Sequence, residues 1–127
     1  MSNPISIPIP ASSQGVINCV ANAAYYQRVT LTWGSTTVVF AGTGEGTPMT
    51  TADGETTAQI PPTPDAFNIQ ALFEFSTNGS SGPFSPATVR EPVISNKGGF
   101  NVAEVMSEDS TDNDNNDSYL TVATVAR

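Results

Sequence analysis

The chain has 127 residues, with four Lys and Arg against twelve Asp and Glu, a formal net charge of −8, and 13% charged residues. This length predicts one domain (1–127) with a buried core, and a composition rich in Thr, Ser, Gly, Pro and Asn favours short strands joined by turns over a helical bundle. Because no basic stripe is present, we expect no nucleic-acid partner and no membrane surface, and no apolar run is long enough for membrane insertion.

The predicted elements are all short strands. In chain order they are 4–10, 15–24, 28–33, 36–41, 66–75, 84–95, 100–106 and 118–127. Segment 4–10 alternates Pro and Ile and is expected at a sheet edge, as is the proline-interrupted segment 84–95. Gly34-Ser35 favours a tight hairpin turn. Residues 42–65 are rich in turn formers and are expected to contain at most one short strand, near 56–60.

These elements predict an all-β fold, an antiparallel β-sandwich of about nine short strands with Greek-key-like connections. Cys19 is the only cysteine, and we expect it to be a small buried apolar residue. The absence of histidine excludes Ser/His/Asp and Cys/His nucleophilic catalysis. Residues 1–15 lack the charged and apolar regions of a secretory signal, so the expected location is cytoplasmic, with non-classical release as the alternative.

The segment "SEDSTDNDNND" at 107–117 concentrates acidic residues without any Lys or Arg. Two like charges about 6 Å apart repel by roughly 3 kcal/mol at an effective dielectric constant near 20. The loop is therefore either solvated or neutralised by cations. Its carboxylates and amides are all oxygen ligands, which favour Ca²⁺ ahead of Mg²⁺. The acidic residues concerned are Glu108, Asp109, Asp112, Asp114 and Asp117.

An EF-hand is rejected for this loop. Asp112, Asp114 and Asn116 match the first three ligand positions of an EF-hand. However, Asp117 stands where the turn glycine belongs and Ala123 stands where the bidentate glutamate belongs. The remaining alternatives are a solvated Asn/Asp-rich loop, a single Ca²⁺ that only joins two strands, and a ligand-binding calcium site.

The longer pattern "EDSTDNDNND" at 108–117 resembles the metal loop of the two-calcium fucose/mannose-binding lectins of the LecB type. Two further features support the resemblance. The motif "VANAA" at 20–24 is similar to that family's Asn followed by a specificity triplet of small residues. The chain also ends ten residues after Asp117, at the separation found in those lectins.

The resemblance implies two Ca²⁺ per subunit and assigns their ligands. The first ion would be held by Glu108, Asp112, Asp114 and Asp117. The second would be held by Asp114, Asn116, Asp117 and the backbone oxygen of Asn22. The terminal carboxylate of Arg127, supplied by a neighbouring subunit, completes the set. The implied sugar-binding residues are Asn22, Ala23, Ala24, Tyr25, Asp109, Asp112, Asp114 and Asp117, with Asp109 as a hydrogen-bond acceptor and Ala23-Ala24-Tyr25 as the triplet.

A terminal strand of ten residues reaches about 33 Å, so its own carboxylate cannot return to the loop it left. If the terminus is a metal ligand, as the resemblance implies, that metal belongs to a partner subunit, and a homodimer through the C-terminal strand is predicted, with a tetramer as an extension of it. Tyr25 is bulkier than the usual third triplet residue and either stacks on a second sugar unit or packs against the loop. Arg127 replaces the usual glycine and places a cationic side chain near the ions.

The resemblance implies a calcium-dependent lectin whose ions coordinate sugar hydroxyls directly. Its partners would be mannose- or fucose-containing glycans, with mannose first because Ala23 cannot donate a hydrogen bond. No bond is broken, so no enzymatic activity is expected. The alternative is a structural or adhesive β-domain in which Ca²⁺ only stabilises the fold or an interface. A two-carboxylate glycosidase ranks third, because carboxylates engaged by calcium are poor proton donors.

Overall fold

The computed structural model describes residues 2–108 and 117–126, which are almost entirely antiparallel β-structure. Their one helical element is a short 3₁₀ turn at Gly79–Ser81. Within these residues no helix has the length and apolar character needed to cross a bilayer. The described strands are β1 (Ile5–Ile9), β2 (Ser13–Trp33), β3 (Thr36–Pro48), β4 (Thr57–Thr63), β5 (Phe67–Ser76), β6 (Ser85–Pro86), β7 (Thr88–Val89), β8 (Val93–Lys97), β9 (Phe100–Glu108) and β10 (Ser118–Ala126).

Strand β2 is the central strand of the fold, and its two halves pair with different strands. Residues 13–21 pair with β10 on one side, and residues 13–18 pair with β4 on the other. Residues 26–32 pair instead with β5, and β3 pairs with β2 from Trp33 back to Val20. The register with β3 shifts twice between Ala21 and Gln27. Such irregularities bend a strand, so the sheet curls at this point.

The remaining strands extend the two ends of this curled sheet. The main hydrogen-bonded path runs β1-β5-β2-β10-β9-β7, while β6 pairs with β5 and β8 pairs with β9. All described pairings are antiparallel. The prediction of an all-β antiparallel fold is confirmed.

One hydrophobic cluster is formed by residues from both halves of the sheet. Period-two alternation sends every second side chain inward, as in β1, where Ile5, Ile7 and Ile9 are buried and the residues between them are exposed. The largest fully buried apolar side chains are Phe40, Phe73, Ile7, Ile17, Leu31, Met49, Ile60, Ile69 and Leu120. Cys19 belongs to this cluster, as predicted.

Two boundaries differ from those that the sequence predicted. The strands predicted at 15–24 and 28–33 are one continuous strand of 21 residues. Strand β3 continues to Pro48, although its last residues are typical turn formers. Pairing of β3 with β2 at Ala21 and Ala23 accounts for this extension, because a strand partner supplies hydrogen bonds whatever the local propensity. Segment 84–95 is interrupted, as predicted, and contains β6, β7 and the start of β8.

Candidate functional site

Three predicted ligand residues meet where β2, β10 and β9 lie side by side. The backbone N–H of Asn22 donates to the carbonyl oxygen of Asp117 at 2.9 Å, which continues the ladder between β2 and β10. The N–H of Asp117 donates to the carbonyl of Ser107 at 2.9 Å, which ties it to the end of β9. Glu108 is the last residue of β9. The fold therefore brings Asn22, Asp117 and Glu108 together from three separate parts of the chain.

The two acidic residues of this group are buried. Glu108 is 3% exposed and Asp117 is 4% exposed. Carboxylates are rarely buried to this degree, and burial of an ionised group is costly unless a counter-charge is close. The backbone and side chain of Asn22 add amide oxygens, so the donor set is entirely oxygen, as hard cations such as Ca²⁺ require. These residues therefore fit a calcium site.

The other predicted loop ligands lie outside the described residues. They are Asp109, Asp112, Asp114, Asn116 and Arg127. Within residues 2–108 and 117–126, no cluster of three or more His, Cys, Asp or Glu side chains forms a metal site. The described contribution is thus Glu108 and Asp117 together with Asn22.

The segment that follows Asn22 is fastened to β3. The hydroxyl of Thr43 lies 3.0 Å from the carbonyl oxygen of Ala23 and 3.1 Å from that of Ala24, and its single proton is shared between these two acceptors. The N–H of Gly46 donates to the side-chain oxygen of Asn22 at 3.1 Å. The backbone at Gly46 has a φ of 60°, a left-handed value that favours glycine. Sequence reasoning missed Thr43 and Gly46, because both lie in segment 42–65, whose many turn formers gave no signal of a site residue.

The carbonyl of Tyr25 is held by a buried polar pair, Gln27 and Ser118. The amide nitrogen of Gln27 donates to the carbonyl of Tyr25 at 3.1 Å, and its amide oxygen accepts from the hydroxyl of Ser118 at 2.9 Å. Gln27 is fully buried and Ser118 nearly so. Each carbonyl of the triplet Ala23-Ala24-Tyr25 therefore accepts a hydrogen bond from a side chain, which holds this irregular stretch of β2 in one conformation.

The aromatic rings of Tyr25, the last triplet residue, and of Tyr26 occupy two separate places. Tyr25 stacks on Phe75, with ring centroids 5.9 Å apart and an interplanar angle of 17°. Tyr26 instead lies against Phe84 at 6.2 Å in a tilted arrangement. The guanidinium of Arg28 covers the same Phe84 ring at 3.6 Å. The side chain of Tyr25 is the more open of the two tyrosines, with 41% of its surface exposed.

Two titratable side chains close to this region have shifted pKa values. The phenol of Tyr119 donates a hydrogen bond to the carboxylate of Glu104, and this bond is the main cause that raises the pKa of Tyr119. Burial raises the pKa of the Cys19 thiol far above its usual value. A thiol in this state is neutral and unreactive, so Cys19 serves as a core residue.

The C-terminal strand leads away from the site. Ser118 pairs with Ala21 beside the site, whereas Ala126 pairs with Ser13 at the other end of β2. Eight residues of regular strand separate these two positions by about 26 Å. Close to the far end lies a surface hollow of about 410 Å³ that is lined largely by apolar residues, among them Val16 and the 60% exposed Phe100.

Comparison with known proteins identifies the family. The model of the fucose-binding lectin II (PA-IIL) family matches residues 7–125. The chain belongs to the PA-IIL family of fucose-binding lectins. The resemblance to LecB-type lectins is therefore confirmed. No curated protein matches the chain.

Solved lectin structures share the fold of this PA-IIL family member. The Chromobacterium violaceum lectin CV2L, solved in complex with alpha-methyl-fucoside, aligns with a TM-score of 0.71 and 20% identity over 97% of this chain and 96% of that one. A Ralstonia solanacearum high-affinity mannose-binding lectin gives a TM-score of 0.64 and 24% identity over 93% of both chains. The C-terminal domain of the Burkholderia cenocepacia lectin BC2L-C gives 0.60 and 18% over 97% of both.

Family membership establishes the general activity. The PA-IIL family consists of carbohydrate-binding lectins, so the chain is a carbohydrate-binding lectin and not an enzyme. The prediction of a non-enzymatic lectin is confirmed on that ground. At these identities the solved structures establish the fold alone.

Proposed function

We propose that the chain is a calcium-dependent lectin that holds two Ca²⁺ per subunit and binds mannose-type glycans, with fucose as the second ligand. The observation that carries this proposal is the meeting of Glu108, Asp117 and Asn22 where three strands lie side by side, with both carboxylates buried. Adjacent buried carboxylates repel each other, and a bound divalent cation turns that repulsion into attraction.

The proposed ligand assignment combines these residues with the loop. Glu108 and Asp117 would be joined by Asp112 and Asp114 at one ion. The second ion would be held by Asp114, Asn116, Asp117 and the backbone oxygen of Asn22. Four side-chain carboxylates and one chain terminus carry a charge of −5, against +4 from two ions, so the set is close to neutral. We propose Asp109 as a direct acceptor of sugar hydroxyls.

When bound, the two ions would supply open coordination positions that sugar hydroxyl oxygens fill in place of water. The protein contributes acceptors and rigidity. Carboxylates accept strong charge-assisted hydrogen bonds from hydroxyl groups, which suits the acidic residues around the site. The bonds from Thr43 and Gln27 to the triplet carbonyls fix the adjacent backbone before ligand arrives. Less entropy is then lost on binding.

The preference for mannose follows from the triplet. Ala23 carries only a methyl group and cannot donate a hydrogen bond to a sugar, which disfavours the recognition that fucose receives from a hydroxyl-bearing residue at this place. The structural neighbours cover both sugars, because CV2L was solved with a fucoside and the R. solanacearum protein is a mannose-binding lectin.

We propose that a homodimer completes the site, with a tetramer of two such dimers as an extension. Strand β10 carries Ala126 about 30 Å away from Asp117, so a terminal carboxylate at the metal site would come from Arg127 of the partner subunit. The apolar hollow around Val16 and Phe100 flanks the same end of β10 and suits coverage by a second copy.

The alternative is that Ca²⁺ only stabilises the junction of β2, β9 and β10. Titration calorimetry with methyl α-mannoside and methyl α-fucoside, in calcium and in excess chelator, separates the two. Heat of binding only in calcium supports the lectin proposal, with the tighter glycoside identifying the preferred sugar. Absence of heat in both conditions refutes it.

Extension of the chain beyond Arg127 tests the shared site. Two added glycines displace the terminal carboxylate while leaving the described strands intact. Sugar binding is expected to be lost if the partner's terminus is a ligand, whereas thermal stability in calcium would stay nearly constant if calcium only joined strands. Analytical ultracentrifugation of the same sample shows whether the dimer persists.

A further inference from the structure

We propose that the stacked pair Tyr25–Phe75 is an extended subsite, an aromatic platform for the sugar unit next to the one bound at the primary site. This inference rests on the proposed function, since it requires a primary sugar site beside Asn22. The chemical class of its ligand is the apolar C–H face of a pyranose ring.

The pair has the properties of a supported platform. The rings are nearly parallel, at 17°, and 5.9 Å apart, in an offset stack. Phe75 packs against the hydrophobic core, so the tyrosine ring is backed by a fixed surface. Even so, 41% of Tyr25 is exposed to solvent. A rigid aromatic side chain with one covered and one open side loses little conformational entropy when a ligand covers it.

The platform lies within reach of the primary site. Tyr25 is three residues from Asn22, so the two Cα atoms are at most about 11 Å apart. That distance matches the span of two linked pyranose rings. The intervening Ala23 and Ala24 carry only methyl groups, and Ala24 is exposed. No bulky side chain of this segment therefore stands between the ring and a sugar beside Asn22.

The backbone at Tyr25 is held as firmly as the ring. Its carbonyl accepts a hydrogen bond from the buried amide of Gln27 at 3.1 Å. Tyr26 in turn pairs with Ser76 on β5, and Phe75 precedes Ser76. The position of the ring is thus set by the strand pairing that joins β2 to β5.

A disaccharide is expected to bind more tightly than a monosaccharide because its second ring buries the open side of the Tyr25 ring. An amphipathic ring offers apolar area to the C–H face of a sugar and keeps its hydroxyl in water. We expect about a fivefold gain in affinity for a suitable disaccharide over the monosaccharide. The gain should appear only with disaccharides whose linkage directs the second ring toward Tyr25.

The test is titration calorimetry in saturating calcium with methyl α-mannoside and with the α1,2-, α1,3- and α1,6-linked dimannosides. The wild-type chain is expected to bind at least one dimannoside about fivefold more tightly than the monosaccharide. In Tyr25→Ala that ratio, taken against the monosaccharide affinity of the same variant, should fall to about one. Tyr25→Phe should keep the ratio, and Tyr25→Leu, which retains apolar packing without a flat ring, should lose it.

Tyr26→Ala is the matched control, because this neighbouring tyrosine packs on Phe84 and not on Phe75. It should keep the dimannoside gain. The inference is overturned if no dimannoside exceeds the monosaccharide in the wild type, if the gain survives in Tyr25→Ala, or if that variant loses the monosaccharide as well. Absence of monosaccharide binding in the wild type is a different outcome, which overturns the proposed function together with the platform.

Discussion

Replacement of Glu108 by Gln is the most direct test of the two buried carboxylates. Glu108 ends β9, and Asp117 directly precedes β10, where its N–H bonds to the residue before Glu108. Both side chains are less than 5% exposed. Glutamine keeps the size and shape of the side chain and removes one charge, so the variant isolates the electrostatic contribution.

The expected effect changes sign with calcium. Strand neighbours place the two carboxylates roughly 6 Å apart, and at an effective dielectric constant near 20 their repulsion is about 3 kcal/mol. Without calcium, Glu108→Gln should therefore be more stable than the wild type by up to about 3 kcal/mol, or roughly 10 °C in Tm for a chain of this size. With calcium at a thousandfold excess over Kd, the wild type gains about 4 kcal/mol by linkage, and the variant gains less.

Differential scanning calorimetry in excess chelator and in excess calcium measures both effects. Glu91→Gln is the matched control, because Glu91 is exposed and the same change there should leave Tm unaffected in either condition. The order of stability of wild type and Glu108→Gln should reverse between the two conditions. If the variant is less stable in chelator and responds to calcium as the wild type does, the argument from buried like charges is refuted.

Three further predictions concern the strands that hold the site. Gly15→Ala should destabilise the fold by about 1–3 kcal/mol in urea unfolding, because the added Cβ would overlap the carbonyl oxygen of Ala123, whereas Gly42→Ala meets only ordinary contacts and should cost much less. Thr43→Val should weaken sugar binding by about fivefold in calorimetry with calcium affinity unchanged, and Thr43→Ser should restore it. Cys19 should resist thiol reagents until the chain unfolds. Because burial raises its folded pKa, stability should fall as pH rises above roughly 8.5, and Cys19→Ala should remove this part of the fall, whereas the raised pKa of Tyr119 contributes only above roughly 10.

The fold class could be predicted from the sequence, because the all-β class depends on local residue patterns. Alternation of Ile in β1 and of Ile69, Ala71 and Phe73 in β5 gives a period of two that needs no tertiary information. The long course of β2 and the extension of β3 to Pro48 were not predictable in this way. Both depend on pairing between residues that are distant in the chain, and that pairing overrides turn-forming composition.

The residues of the candidate site likewise fall into two groups, those that a sequence pattern indicated and those that only the pairing of strands places at the site. Glu108, Asp117 and Asn22 were predicted because the acidic loop and the Asn-Ala-Ala motif are visible in the sequence. Thr43 and Gln27 were missed, because an isolated threonine or glutamine carries no signal of what its side chain will bond. Residues that position a site are set by the fold, so they become visible only when the strands are placed beside one another.

The irregularity in β2 links the fold to the site physically. A strand that changes partners from β10 to β5 has to bend, and the register shifts between Ala21 and Gln27 are the consequence. In such a bend, backbone carbonyls no longer face a regular ladder, and they need other donors. The side chains of Thr43 and Gln27 supply those donors. The same bend that lets the sheet enclose one core therefore also holds a fixed, non-ladder backbone beside Asp117, where the proposed sugar site lies.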